Sequence, residues 1–349
     1  TITGVTVTGN TITSTGSSNK AGAVMGTVGV STTTLDASVS NNTVVGKGQS
    51  TPGIFGRFGS TGSTLAIVGG SYDCGVKAPE VASTLAVSGG TFAEEIPAAY
   101  IVDGYKLTKN VDGTYSVVEK TPVAKIGDTE YKDLDKALEA AKSGETVVLI
   151  DNVEWNKLMT IPAGVTLDGN GKTIVIEEKA VKAAGQHVCF NVNGTVQNVD
   201  FDLNYDNTTG HGAVSILMPY SNAVIKDNTL TGTYVMGDSE ITRGVETASG
   251  SSDITISGNT FKNLRQPGYM NAVTNGVVSN NTIDETRGFC VERDGWTFDN
   301  NKFLNTTDGD KAVCDICYFA TTTAQSADYY NEVSAKNNSC LVEDQHDPK

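Results

Sequence analysis

The sequence is poor in most of the residues that carry recognisable chemistry. Its 349 residues hold 3 His, 2 Trp, 5 Met, 6 Cys and 8 Pro. Only 19% are charged, below the roughly 25% of an average domain. No stretch of about 18 apolar residues exists, so no segment reads as a bilayer-spanning helix. Basic residues are scarce: 25 Lys and Arg stand against 40 Asp and Glu, a formal charge of -15. That balance argues against nucleic acid or an anionic membrane surface as the main partner, because phosphates would be repelled; membrane insertion is not expected, since no apolar run is long enough. Scattered cysteines at Cys74, Cys189, Cys290, Cys314, Cys317 and Cys340 do not form a disulfide framework. The single Cys314-x-x-Cys317 lacks the second pair of a structural zinc site. These thiols read as small apolar core residues. The chain opens in mid-pattern at Thr1-Ile-Thr-Gly-Val5 and reads as a mature protein or an excised piece.

Hydrophobic residues make up 38%, too many for a disordered acidic tail. Gly is abundant at 38 residues, with Thr, Val, Asn and Ser around it. That mixture predicts short strands joined by tight turns. One phrase recurs: an alternating apolar segment, an Asn or Gly pair, then Thr, Ser or Phe. It reads Val7-Thr-Gly-Asn-Thr-Ile12, Val39-Ser-Asn-Asn-Thr-Val44, Ile67-Val-Gly-Gly-Ser-Tyr72 and Val87-Ser-Gly-Gly-Thr-Phe92. It returns at Ile225, Ile256, Val278 and Phe298, and once more at Val333. A corner between strands needs positive φ, which Gly takes freely and Asn tolerates. The steps from Asn228 to Asn259, Asn281 and Asn301 are 31, 22 and 20 residues. One corner every 20–30 residues predicts the coils of a solenoid, with surplus length looped out.

This pattern resembles the right-handed parallel β-helix family, the fold of pectate lyases, polygalacturonases, tailspikes and many bacterial surface proteins. The expected class is therefore all-β: two β-helix arrays joined by a hairpin and linker. Residues 1–97 are expected to be the C-terminal part of a first β-helix. Residues 98–122 read as a hairpin and linker, with Asn110 to Gly113 at the turn. Residues 123–349 are expected to be a second β-helix. A short amphipathic helix at 133–142 would cap it, with Asp133 as N-cap and Ser143-Gly144 as stop. The order helix, "GETVVL", "GVTLDGNG" resembles the start of β-helix modules in large cell-surface proteins of gut Firmicutes. That resemblance implies an extracellular, secreted or wall-associated module among other modules of a longer parent chain. Adhesion or binding of a polysaccharide, host or dietary glycan would then be its role, without catalysis.

Sites in β-helix enzymes are built from side chains stacked on successive coils. Aligning His211–Ile216, Arg243–Glu246, Asn271–Thr274, Arg287–Glu292 and Lys311–Asp315 places His211, Arg243, Arg287 and Lys311 at leading positions. Glu246, Glu292 and Asp315 fall at trailing ones. Arg243, Arg287 and Lys311 are the candidate grips for substrate carboxylates or hydroxyls, and Trp296 a candidate for stacking on sugar rings. An alternative is a polysaccharide lyase or glycoside hydrolase acting on acidic polysaccharide. Its catalytic candidates are His211, Glu246, Glu292 and Asp294. Gly210-His-Gly212 with Arg243 resembles part of the polygalacturonase pattern, but no Asp pair stands where that family has one. No cofactor is expected. If the lyase alternative held, calcium would sit at Asp308, Asp310 and Asp315.

Overall fold

The computed structural model describes residues 2–14, 35–46, 54–55, 61–73, 76–77, 84–205, 212–235, 241–291, 294–304, 316–318 and 334–340. The chain is mostly β and divides into two compact units, Thr1–Thr121 and Pro122–Lys349.

In the first unit the strands Ile2–Thr8, Leu35–Ser40, Thr64–Tyr72 and Thr84–Phe92 pair in parallel, in chain order. Alternation decides which side chains go inward. In Thr64–Tyr72, Leu65 and Ile67 are fully buried, while Ala66 and Val68 between and beyond them face outward. Tyr72 and Phe92 stack at 5.2 Å in the same core. The expected hairpin is present as Tyr105–Lys109 and Tyr115–Glu119, turning through Gly113 at φ 87°. It continues the first unit's sheet: Tyr115, Ser116 and Val117 pair antiparallel with Phe92, Thr91 and Gly90.

In the second unit the strands sort into three long sheets of 10, 8 and 7 strands. The chain visits them in rotation, one coil per round. Thr166–Asp168 lies in the first sheet, Thr173–Glu177 in the second and Val188–Val192 in the third. Thr195–Gln197 then returns to the first and pairs in parallel with Thr166–Asp168. Inward side chains of all three sheets share one buried cluster, including Ile225, Phe261 and Phe289. Phe289 is ringed by Phe261, Phe298 and Phe303 at 5.3–6.3 Å between centroids.

The capping helix α1 covers Leu134–Ala140 and buries Leu134, Ala137 and Leu138, as its spacing predicts. Asp133 sits at the N-cap with extended backbone, but its side chain makes no capping hydrogen bond. The hairpin Ala124–Ile126 and Thr129–Tyr131 covers the edge of Thr146–Leu149 in antiparallel register. A second short helix α2, Glu178–Ala183, was not expected from sequence. It is the surplus length of one coil, too short to show a periodic stripe.

Candidate functional site

The recurring corner is where sequence and geometry meet most closely. The two residues of each pair do different work. The first takes positive φ: Asn41 (52°), Asp227 (56°), Gly258 (68°), Asn280 (57°), Asn300 (56°) and Asn337 (55°). The second is an asparagine turned inward, and Asn42, Asn228, Asn259, Asn281 and Asn301 are 0–2% exposed. These buried amides form a ladder. The Asn259 backbone N–H and Nδ2 both donate to Asn281 Oδ1, at 2.9 and 3.1 Å. Its Oδ1 accepts from the N–H and Nδ2 of Asn228, both at 3.0 Å. Its Nδ2 also donates to the Ile225 carbonyl at 2.9 Å. Asn281, Asn301 and Asn338 repeat the arrangement. Every buried polar atom of an interior rung is thus satisfied, as burial requires. The Asn-Asn repetition was visible in the sequence; that only its second member is buried was not.

The candidate ligand face is the outward side of the third sheet. Arg243 and Glu246 lie there, on the strand Thr242–Glu246. Arg243 Nη1 and Glu246 Oε2 are 2.8 Å apart, and each side chain is 15% exposed. Ser215 Oγ donates to the same Glu246 oxygen at 2.6 Å. Arg243 Nε donates to Gln266 Oε1 at 3.0 Å, and the guanidinium lies 4.0 Å from the Tyr269 ring centroid. Three successive strands therefore contribute, with Ser215, Arg243 and Gln266 in register. The result is a charge-neutral, half-buried patch.

The remaining predicted residues fall elsewhere. The third-sheet strand after Thr242–Glu246 is Gln266–Met270, not the expected Asn271–Thr274. Val273–Thr274 instead pairs with Ser251–Ser252 in a separate two-stranded sheet. Arg287 is exposed and precedes the strand Phe289–Val291, and its backbone N–H donates to the Arg265 carbonyl at 3.0 Å, next to Gln266. Trp296 is 0% exposed and its Nε1 donates to the Asn271 carbonyl at 2.8 Å. Its ring packs in the core and offers no face to a sugar, which corrects the stacking expectation; the alternating run Trp296–Asp299 places Trp296 and Phe298 inward together. Asp294 lies on the loop that leads into that strand. His211, Glu292, Lys311, Asp308, Asp310 and Asp315 lie outside the described residues. Family models, curated proteins and solved structures offer no match to this chain.

Electrostatics elsewhere in the unit is local. On the outward face of the second sheet, burial and the neighbouring charges of Asp200 and Glu177 push the Asp202 carboxyl above the usual range. At a first-sheet corner, burial pushes Asp168 up. Hydrogen bonds from Gln197, the Asn170 N–H and Asn198, with the Lys226 charge, outweigh it and hold the carboxyl below its ordinary value. Cys189 and Cys290 are buried, and burial pushes the Cys189 thiol up, so it is unreactive. A cavity of about 330 Å³ lies between α1 and Met159–Ile161. Its Asp135 is already matched by Lys157. Among the described residues no three His, Cys, Asp or Glu side chains gather as a metal would need. No described helix is long and apolar enough to cross a membrane.

Proposed function

We propose that this chain is a non-enzymatic module of an extracellular bacterial surface protein that binds glycan on the outward face of its third sheet. In this reading the three sheets close around the shared core as a right-handed parallel β-helix. The rotation of the chain through three parallel sheets supports that architecture, and parallel crossovers are almost always right-handed. The polysaccharide or host or dietary glycan is the partner, no cofactor is needed, and other modules of a longer parent chain flank this one.

The observation that carries the reading is the state of Glu246. Glycoside hydrolysis needs two carboxylates, one an acid and one a base or nucleophile. Glu246 is bound by Arg243 and Ser215, which suits fixed recognition better than proton transfer. The same pairing sets the ligand class. Arg243 is neutralised by Glu246, so the patch has no net attraction for uronate carboxylates. A matched donor and acceptor beside the Tyr269 ring suit the vicinal hydroxyls of a neutral sugar.

The test is a glycan array beside a turnover assay on uronic-acid polymers. The expected result is retention on neutral glycans, reduced at least tenfold by Tyr269→Ala or Arg243→Ala, with no turnover. Cleavage of an acidic polymer that disappears in Glu246→Gln would overturn the proposal and establish the lyase or hydrolase alternative.

A further inference from the structure

On the outward face of the first sheet in the second unit, two ranks of side chains read almost alike in either direction. From Thr166–Asp168 to Ser334–Lys336 the strands pair in parallel with no slip in register. Between the ranks, Leu167, Val196, Ile225, Ile256, Val278 and Phe298 are buried, while the ranks themselves are partly or fully exposed. The leading rank is centred on Thr255. Val224 and Val277 stand one coil to either side, Thr195 and Thr297 two coils, Thr166 and Ser334 three. The trailing rank is centred on Ser257. There Lys226 and Ser279 stand one coil away, Gln197 and Asp299 two, Asp168 and Lys336 three.

The leading rank holds no charge over these strands. In the trailing rank Asp168 and Asp299 balance Lys226 and Lys336, so the face is neutral on a chain of formal charge -15. Two copies therefore meet no net repulsion here. A charge-free strip of hydroxyls and valines beside a strip of balanced charges has the make-up of an interface core and rim. The second sheet differs, with Asp200, Asp202, Lys262 and Lys302 on its outward face. Shape agrees with charge. Every coil from Thr195–Gln197 onward leaves the first sheet through a two-residue corner, such as Asp227-Asn228 or Asn280-Asn281. Surplus length is spent instead between the second and third sheets, as α2 and between Asn204 and Val214. No described corner of these coils rises beside the trailing rank.

We infer that two copies of this chain pack face to face through this sheet, about a two-fold axis parallel to the strands at Thr255 and Ser257. The axis reverses the order of the coils and sets each rank opposite its own kind. Val224 meets Val277 of the second copy, Thr195 meets Thr297, and Thr166 meets Ser334. In the trailing rank Asp168 meets Lys336 of the second copy, and Lys226 meets Ser279 with Asp299 one coil away. No like charges stand directly opposite. A two-fold axis along the length of the sheet would instead exchange the ranks. It would set Asp299 against Thr297 and Lys336 against Ser334, with no opposite charge facing either. The charge pattern thus selects the partner, a second copy, and its orientation. Such a contact is isologous and closes at two chains. It needs no strand edge, uses neither Arg243 nor Glu246, and stands whether or not the glycan proposal holds.

Sedimentation velocity on the full chain across a wide concentration range tests this. The weight-average mass is expected to rise from the 36.5 kDa of one chain to twice that value and to stop there. Val224→Glu and Val277→Lys each bring an unmatched charge into the leading rank. Each alone is expected to stay monomeric at concentrations where the wild type pairs. Combined in one chain they are expected to restore the dimer, because each new carboxylate then faces a new ammonium of the second copy. Thr229→Glu, on the outward face of the second sheet, is expected to pair as the wild type does. A wild-type chain that stays monomeric or grows beyond two would overturn the inference. So would single variants that pair, a double variant that does not, or a Thr229→Glu chain that fails to pair.

Discussion

At the scale of single residues, the corner pair separates conformational need from hydrogen-bonding need. Asn280 supplies positive φ on the surface, and Asn281 takes part in five hydrogen bonds in the core. Asn280→Gly is therefore expected to be neutral or slightly stabilising, since Gly takes that φ freely. Asn281→Gly strands the Asn259 N–H and the Ile256 carbonyl, each costing about 1–3 kcal/mol when buried without a partner. Urea denaturation of the two variants checks this, and equal losses would contradict the division of labour. Both residues are the same letter in adjacent positions. Which one is buried depends on the direction of the turn, and no local propensity encodes that. Trp296 shows the converse. By residue type alone it reads as a platform for stacking on sugar rings. Its alternation with Phe298 points to the core, where the strand's burial pattern places both rings.

At the scale of elements, strands stack like with like, so a charged outward position repeats its field along the sheet. Asp202 lies on the same strand as Asp200, beside Glu177 on the neighbouring strand. Its carboxyl is raised in the folded state. The folded protein therefore holds the proton more tightly than the unfolded chain, and this site loses stability as pH rises through the interval between the two pKa values. Asp202→Asn is expected to stabilise the protein at neutral pH by a few tenths of a kcal/mol to about 1 kcal/mol. The gain should vanish at acid pH. Asp168 has the opposite sign. Its carboxyl is depressed, so its contribution is full above the ordinary carboxylate range and lost as pH falls through the folded value. Asp168→Asn is expected to destabilise at neutral pH and to matter little in acid. Thermal melts at two pH values distinguish the pair, and shifts of the same sign would refute the assignment. The short helices show how elements differ in legibility. α1 carries the i, i+3, i+4 spacing of Leu134, Ala137 and Leu138 and was readable. α2 is six residues long, too short to show such spacing.

At the scale of the whole molecule, each unit has its own apolar cluster, and the two clusters share no residue. Residues 122–349 produced alone are therefore expected to unfold in one cooperative transition, followed by circular dichroism. A broad, non-cooperative loss of signal would show that this cluster is insufficient. The hairpin expected to belong to a linker region is part of the first unit's sheet, and the boundary falls at Thr121. Tyr105–Lys109 and Tyr115–Glu119 read as a free hairpin in sequence because the strand they join, Thr84–Phe92, lies on the far side of the intervening segment Ala93–Gly104. Local pattern does not reveal a partner strand.

The sequence by itself determined the class of architecture. A corner phrase repeated every 20–37 residues leaves little besides stacked parallel strands, because each corner residue must satisfy the same backbone geometry. The capping helix and the hairpin turn were equally local and equally legible. The candidate site was not. Arg243 and Glu246 were visible as a charged pair, but their partners Ser215, Gln266 and Tyr269 come from strands up to 31 residues away. The loops that set which residue stands opposite which vary in length, and Gln266 stands opposite Arg243, five residues before the expected Asn271. Only the tertiary structure decided that register. It gathered Ser215, Gln266 and Tyr269 around Arg243 and Glu246 as one neutral, hydrogen-bonded patch. It also joined the asparagines of separate coils into a ladder.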